Sequence, residues 1–511
     1  MIKDSKICSF IILLAKAFMQ SKLYAVLLCI VNFFADSFSE SKTRSFLIGK
    51  GAIEDNAENS LFYRIISKII NSVLKVFTGF FSLFGKAYES SIVKRIYDNF
   101  FKHPYEKNYI FFVSFVAVFI FIIPHNFWSN TFGLLFAAVL FLLYVVALCA
   151  GNKDYTPGKN VKSLWFCTLA FIFSLLLNCY VSYDRTDSIR VLLFFITSFM
   201  LCFVVYASLR NERCLDVICG FMYGALIITS LFALVQRVIG VEADAALTDM
   251  ELNAGMPGGV FSTLANPDNF AEFLVLFMPF GLAFTLNRPK DNKYRLPLLC
   301  GMALPLLAIL LTYSRSGWMA LIIAAVVFIS MYDKKLIPVF IILGILAIPF
   351  IPQSILNRIL TIGNLDDSSS SYRVDIWTGC LEMLKDYWFT GVGLGTGGFA
   401  EIYPLYAVGK SGVAPHSHMH FMEMLCELGV LGFVSYVCMT FTLIKRSLVA
   451  CSKRVPEKIR NVAIASASSM AGIVLIGCFE YCWFYPRVMF AFFISAGIAM
   501  AVYKMSKEYT K

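Results

Sequence analysis

Long apolar segments, separated by short polar ones, dominate the chain from residue 109 onward. A membrane-spanning helix needs about 20 predominantly apolar residues, with a few more or fewer tolerated. This length rule predicts twelve spans, at residues 109–124, 131–150, 162–181, 189–208, 215–238, 269–287, 296–313, 316–332, 336–352, 420–444, 461–480 and 485–503. The pattern therefore predicts an all-α, polytopic integral membrane protein.

One polar segment between predicted spans is far longer than the others, at residues 353–419. The chain is accordingly predicted to divide into an amphipathic N-terminal region (1–108), nine spans (109–352), this long loop, and three spans with a tail (420–511). Long ordered loops in compact proteins usually carry function. The stretch Asp366–Ser371 is expected to form the mobile tip of the loop.

Lysine and arginine are concentrated in alternate loops, for example around Lys445 and Arg446. Cytoplasmic loops of membrane proteins retain these residues. With the N-terminus inside, every cytoplasmic loop is basic although each is short. Both termini are therefore predicted to be cytoplasmic, and residues 353–419 are predicted to lie on the outer face of the inner (cytoplasmic) membrane.

The N-terminal region has a different pattern. Arg64, Lys68 and Lys75 fall on one face of a helix whose other face is apolar, which is typical of a helix lying on an anionic membrane surface. The apolar stretch Leu23–Phe34 is shorter than a span and is predicted to be interfacial or re-entrant. The polar stretch Ser37–Ser60 is predicted to be a flexible linker.

Composition supports the membrane assignment, since 59% of residues are hydrophobic and only 15% are charged. Soluble globular proteins have roughly 45–50% apolar and about 25% charged residues. The net charge of +11 follows the loop pattern, which indicates membrane topology rather than nucleic-acid binding. The cysteines are scattered through apolar stretches without metal-ligand spacing, as expected of small buried side chains.

Three of the five histidines form the cluster His416, His418 and His420 at the end of the long loop. Ser417 is predicted to cap the following helix, which places His418 in its first turn. A neutral imidazole there can accept a proton as a general base, with the other two histidines supporting it. A zinc site is disfavoured because no further ligand lies nearby. Glu427 lies on the same predicted helix face as His420. It either belongs to the candidate site or makes a polar contact between helices.

Three arginines are candidate anion ligands, because a guanidinium fork matches phosphate and keeps its charge. Arg315 lies in a short turn between two predicted spans, where it either binds an anion or reaches the membrane interface. Arg373 is predicted to lie on an amphipathic helix, where it either binds an anion or is a surface arginine paired with Asp375 or Glu382. Arg487 is either a third cation for phosphate or an interface anchor.

Several polar turns complete the candidate site. Asn266-Pro267-Asp268-Asn269 is predicted to cap the sixth span or to contact sugar hydroxyls, and Tyr313 lies beside Arg315. The literal G-x-G-x-x-G at residues 393–398 is not a dinucleotide fingerprint, because it lacks the required strand and βαβ unit. It is predicted to be a tight turn that approaches a neighbouring element or a phosphate group.

Between residues 260 and 490 these pieces occur in an order that resembles the bacterial O-antigen ligase and polymerase superfamily of membrane glycosyltransferases. The matching pieces are Gly259-Val260-Phe261, Asn266–Asn269, Tyr313–Trp318, Arg373 with Trp377, Gly391–Phe399, and His418 with Glu427, Gly429 and Gly432. The resemblance implies twelve helices and a large outward loop of short helices over the active site. The first 108 residues have no counterpart in the family.

The resemblance also implies a reaction. A glycan on undecaprenyl pyrophosphate is transferred to an acceptor hydroxyl, without metal or other cofactor, in the synthesis of cell-surface polysaccharide such as lipopolysaccharide. Arg315 and Arg373 match the pyrophosphate-binding arginines of the family. His418 matches the acceptor-activating base, since nine residues separate His418-Met419 from Gly429. Met419 stands where the family usually has Asn, Ser or Gln, so the choice between His418 and His416 as the base stays open.

The implied partners are the undecaprenyl-pyrophosphate glycan donor, a lipid or glycan acceptor, and membrane lipids, with no nucleic acid. Ligase and polymerase differ only in the acceptor, and the sequence does not choose between them. A transporter or flippase for lipid-linked sugars is a second class, which would require mid-membrane polar residues and inverted repeats. A non-catalytic scaffold is a third, and it would leave the outward arginines and histidines unexplained.

Overall fold

A computed structural model of the protein describes residue 13 and residues 16–48, 61–101, 108–149, 162–241, 258–363, 368–409 and 411–509. These residues are overwhelmingly helical, and no β-strand occurs among them. The prediction of an all-α protein is confirmed for the part of the chain described.

The described residues contain the following helices in chain order. The N-terminal region contains α1 (Lys22–Glu40), α2 (Lys42–Ile48), α3 (Leu61–Leu83), α4 (Gly85–Glu89) and α5 (Ile92–Phe101). The first part of the bundle contains α6 (Asn108–Phe119), α7 (Asn130–Cys149), α8 (Lys162–Val181), α9 (Arg185–Ser208), α10 (Glu212–Ile239), α11 (Pro267–Leu286), α12 (Arg295–Gly301), α13 (Ala303–Leu311), α14 (Arg315–Asp333) and α15 (Ile337–Ala347). The remaining helices are α16 (Gln353–Leu360), α17 (Ser368–Tyr387), α18 (Thr396–Ile402), α19 (His420–Ala450), α20 (Glu457–Ile476) and α21 (Pro486–Ser506).

The centre of the bundle is formed by α11, α20 and α21. Their apolar windows are buried over 78%, 78% and 94% of their residues, whereas none of the window in α1 is buried. A helix that is apolar on every side must be surrounded by other helices or by lipid. The late helices therefore form the core, and α1 lies at the periphery.

Small residues allow the central helices to approach one another closely. Helix α20 is rich in Ala, Ser and Gly, and a Cβ added at Gly472 would lie 2.5 Å from the Val275 side chain of α11. The Ser469 hydroxyl donates a hydrogen bond of 2.8 Å to the Leu276 carbonyl of the same helix. Close backbone approach of this kind is how helices associate inside a membrane, where lipid competes for apolar contacts.

The predicted count of twelve spans is not confirmed. Among the described residues, eight helices are long and apolar enough to cross a membrane, and a ninth arises if Arg315–Phe350 and Gln353–Leu360 are counted as one span bent by 115°. Helix α8 has 20 residues, and the apolar helices in two other predicted spans are shorter, at Asn108–Phe119 and Arg295–Leu311. The length rule counted these short helices as full spans and divided the bent unit into two.

The N-terminal region is more helical than predicted. Residues 37–48, predicted as part of a flexible linker, lie in α1 and α2, and residues 49–60 lie outside the described residues. Helix α1 extends beyond the apolar stretch Leu23–Phe34 and is long enough to span, so its interfacial placement stays a prediction. The predicted helix with Arg64, Lys68 and Lys75 is present as α3, with these three residues exposed.

Helix α19 is interrupted at Gly429, which has φ 62° and ψ −171°. This backbone conformation is almost exclusive to glycine. The break exposes helix carbonyls, and the backbone N–H groups of Val392 and Gly393 donate to Cys426 and Glu427 at 2.9 and 3.1 Å. The glycine-rich segment 391–398 is thus a tight turn packed against a neighbouring helix.

We expect Gly429→Ala to destabilise the protein by roughly 1–3 kcal/mol from backbone strain alone. An added Cβ would also lie 2.2 Å from the Phe389 carbonyl oxygen, so the two segments must separate. Thermal unfolding of the detergent-solubilised protein measures the effect. Gly344→Ala is the control, because its Cβ enters open space in α15 and should change stability by less than about 1 kcal/mol. Equal melting temperatures for the two variants would contradict this prediction.

Candidate active site

Four helices, α11, α14, α19 and α21, begin at the same end of the bundle. Asp268, in the first turn of α11, is hydrogen-bonded to Ser314, the N-cap of α14, and interacts electrostatically with Glu480. Glu480 lies in the loop before α21, and its carbonyl accepts the His420 backbone N–H of α19 at 3.1 Å. Because helix N-termini carry partial positive charge, this end of the bundle suits an anionic ligand.

A carboxylate joins an arginine to a histidine at this end. One oxygen of Glu480 pairs with the Arg373 guanidinium, and the other lies 3.7 Å from Nδ1 of His418. The side chains of Arg373 and His418 are 22% and 25% exposed, whereas that of Glu480 is 12% exposed. The arginine and the histidine are therefore accessible to a ligand, and the carboxylate lies behind them.

The pKa of Glu480 reflects these partners. Burial alone would raise it, yet the positive charge of Arg373 and the contact with His418 hold the pKa of Glu480 below its ordinary value. Glu480 is therefore ionised at neutral pH. An ionised carboxylate beside an imidazole fixes the ring's orientation and stabilises its protonated form.

Arg315 lies beside the same helix as Arg373. Its guanidinium donates to the Ser369 hydroxyl at 2.8 Å and to the Thr361 carbonyl at 3.0 Å. Ser369 and Arg373 are one turn apart on α17, about 6 Å along the helix axis. The Arg315 guanidinium is thus bound to the helix that carries Arg373, one turn before it.

The His416 ring packs against the His418 ring, with centroids 4.2 Å apart. Nδ1 of His416 accepts the backbone N–H of His418 at 3.1 Å. Burial, and then the neighbouring His418, lower the pKa of His416 to about 3. His416 is therefore neutral at pH 7 and serves as a hydrogen-bond acceptor for the backbone of His418.

The helix after the histidine cluster starts later than predicted. Met419 is the N-cap, helix α19 begins at His420, and Ser417 does not cap it. His418 lies outside the helix with φ 51°, in the left-handed region. The Ser417 backbone N–H is instead bound by the Glu423 carboxylate at 2.6 Å. The prediction that His418 occupies the first helical turn is wrong, because this local bond turns the chain before the helix starts.

Backbone strain is concentrated around these elements. Among the described residues, the non-glycine residues with positive φ are Ser262, Ala265, Tyr313 and His418. Two of them precede the start of α11, one precedes α14, and one precedes α19. Strained conformations of this kind persist where surrounding structure fixes them, and they cluster at functional sites.

Glu427 connects α19 to the glycine-rich turn. Its buried carboxylate accepts the Gly395 backbone N–H and the Tyr481 hydroxyl, both at 2.9 Å. The Gly397 N–H is bound by the Asp187 carboxylate at 3.0 Å. These two N–H groups of the turn are bound by protein carboxylates, so the contacts of Glu427 are structural and the turn approaches a neighbouring element rather than a phosphate.

The remaining predicted residues lie around the cluster or apart from it. Asn266 caps α11 by accepting the Asp268 N–H at 2.7 Å, and Asn269 follows in the first turn. The Tyr313 hydroxyl lies 3.2 Å from that of Ser354, in the first turn of α16. Arg487 is fully buried at the start of α21.

Arg487 is separated from the ligand-accessible arginines. Its guanidinium donates to the carbonyls of Ile123 at 2.7 Å and of Thr263, and also to the Tyr485 hydroxyl. It also lies over the Trp128 ring, with its Cζ 4.9 Å from the ring centroid. These contacts join three loops, which is a structural function, and we therefore leave Arg487 out of the proposed pyrophosphate site.

Sequence reasoning overlooked Glu480. It falls at the end of a predicted span, inside the aromatic stretch 479–485, and it is 107 residues from Arg373 along the chain. An ionisable residue at the edge of a membrane span is by itself an indication of a functional site. Neither spacing nor periodicity could have shown that Arg373 and His418 are its partners.

The fold and the site define an integral membrane protein whose helix ends surround a cluster of arginine, histidine and carboxylate side chains. Residues 300–437 match the model of the family described as O-antigen ligase, and this match confirms the resemblance to the O-antigen ligase and polymerase superfamily. The matched segment contains Arg315, Arg373, His416, His418 and Glu427. A comparison with curated proteins found no match. The family match supports a membrane glycosyltransferase-type activity.

Proposed function

We propose that this protein transfers a glycan from undecaprenyl pyrophosphate to an acceptor hydroxyl at the outer face of the inner membrane. The observation that carries the proposal is the contact chain from Arg373 through Glu480 to His418, with Arg315 bound to the same helix as Arg373. It combines a site for an anionic leaving group with a base for the attacking group.

In the proposed reaction, the acceptor oxygen attacks the anomeric carbon of the donor glycan. The bond between that carbon and the pyrophosphate oxygen breaks, and the electron pair leaves with the lipid pyrophosphate. Arg315 and Arg373 stabilise the negative charge that grows on this leaving group. Fixed cationic donors at the start of several helices do so without reorganising during the reaction.

His418 is the proposed base that takes the proton from the acceptor hydroxyl. A general base works best when its protonation changes near the operating pH. The low pKa of His416, about 3, makes that residue a poor proton acceptor at pH 7. His418 is more exposed, has the ionised Glu480 at Nδ1, and can present its other ring nitrogen to an acceptor.

The proposed function is tested with purified protein in lipid nanodiscs and an undecaprenyl-pyrophosphate oligosaccharide as the donor. One arm supplies the donor alone, and a second adds lipopolysaccharide that lacks its O-antigen chain. Longer lipid-linked glycan in the first arm indicates a polymerase, and glycan joined to lipopolysaccharide in the second indicates a ligase. Either product supports the proposal.

Absence of any new glycosidic bond in both arms would contradict the proposed function. Vesicles that hold the donor in one leaflet test the transporter alternative with the same protein. Movement of the donor between leaflets without bond formation would identify a transporter of lipid-linked sugars.

A further inference from the structure

The Glu480 carboxylate is shared by two groups that the proposed reaction uses for different tasks. One oxygen faces Arg373, the proposed ligand of the donor, and the other faces His418, the proposed base. A pyrophosphate that approaches Arg373 competes with Glu480 for the guanidinium and repels the Glu480 charge. Both effects move the carboxylate away from Arg373 and towards the imidazole.

We infer that Glu480 is a positioning residue that couples donor binding to activation of the base. This inference rests on the proposed function, because it requires a pyrophosphate donor at Arg373. Without donor, Glu480 is divided between arginine and histidine. With donor bound, it pairs with His418, orients the ring and stabilises the imidazolium that forms when the acceptor loses its proton. The acceptor hydroxyl is thus activated only when a glycan donor is in place.

The titratable groups around Glu480 and His418 come from several packed elements. Asp268 and Glu272, on α11, both interact electrostatically with Glu480. The groups that face His418 from the packed elements are His416, Glu423, Arg373, Tyr372 and Glu480. Of these groups, Glu480 is the carboxylate that also contacts Arg373, the residue proposed to bind the donor.

The test combines a binding measurement and a rate measurement on Glu480→Gln, which keeps the shape and removes the charge. We expect undecaprenyl pyrophosphate to bind this variant more tightly, by roughly tenfold, because a competing negative charge is gone. We expect glycan transfer to fall by roughly 10- to 100-fold, as is usual when the partner of a functional histidine is lost. The pH–rate profiles of the variant and of the wild-type protein are recorded in the same assay.

Two further variants separate positioning from general damage. Glu382→Gln removes an exposed carboxylate from α17, where Glu382 pairs with Lys385, and should leave binding and transfer unchanged. Glu480→Asp keeps the charge and should recover part of the transfer rate. A merely structural role for Glu480 predicts weaker binding together with slower transfer, and that result would overturn the inference.

The inference and the proposed function fail in different ways. If wild-type protein transfers glycan while Glu480→Gln matches Glu382→Gln in binding, rate and pH profile, the inference alone is overturned. If wild-type protein forms no glycosidic bond, the proposed function is overturned and the inference with it.

Discussion

Replacement of Arg373 by alanine is expected to reduce glycan transfer by about two to three orders of magnitude. Arg373 is the proposed cation nearest to the base, and its guanidinium stabilises the charge that develops on the departing pyrophosphate. The loss should appear in the rate at saturating donor as well as in donor affinity, because this charge is larger in the transition state than in the bound donor. The nanodisc transfer assay with varied donor concentration measures both quantities.

Two variants make the Arg373 prediction specific. Arg373→Ala also leaves Glu480 without its cation. Arg373→Lys keeps the positive charge but lacks the planar guanidinium, and it therefore shows whether bidentate binding of the pyrophosphate is needed. Lys385→Ala is the matched control, because Lys385 is an exposed cation on the same helix that pairs with Glu382. Normal transfer by well-folded Arg373→Ala would exclude Arg373 from the donor site.

The sequence singled out Arg315 because its environment is unusual in local terms, and its role as a ligand of the donor stays a prediction. A guanidinium in a short turn between apolar segments needs an anionic partner, and this argument requires no tertiary structure. The sequence did not identify the partner of Arg373. Asp375 and Glu382 were considered because they are close in sequence, yet the structure pairs Arg373 with Glu480, which three further helices separate from it along the chain.

The helix boundaries were predicted less well than the helices themselves, for two physical reasons. Hydropathy measures how apolar a segment is, and two apolar segments have helices too short to cross a membrane alone. Capping rules placed a helix start at Ser417, but the buried Glu423 carboxylate binds the Ser417 N–H and delays the helix to His420. This bond from a side chain six residues further along overrode the capping preference of Ser417, and His418 has a positive φ.

We expect His418→Asn to reduce glycan transfer by about two to four orders of magnitude, the usual contribution of a positioned general base. Asparagine is the suitable replacement because it tolerates the positive φ at this position better than alanine does. The variant therefore removes the imidazole with little change to the backbone. The nanodisc transfer assay measures the loss, and a wild-type rate from well-folded His418→Asn would exclude His418 as the base.

His416→Asn separates the two candidate bases. The oxygen of the asparagine side chain can replace Nδ1 of His416 as acceptor of the His418 N–H, so the segment should keep its conformation. Because the pKa of His416, about 3, keeps its ring neutral at pH 7, this variant should lose less than about tenfold in rate and retain the wild-type pH profile. The opposite pattern, with His416→Asn inactive and His418→Asn active, would assign the base to His416. That assignment would also agree with the family pattern, in which a polar residue follows the base, because Ser417 follows His416.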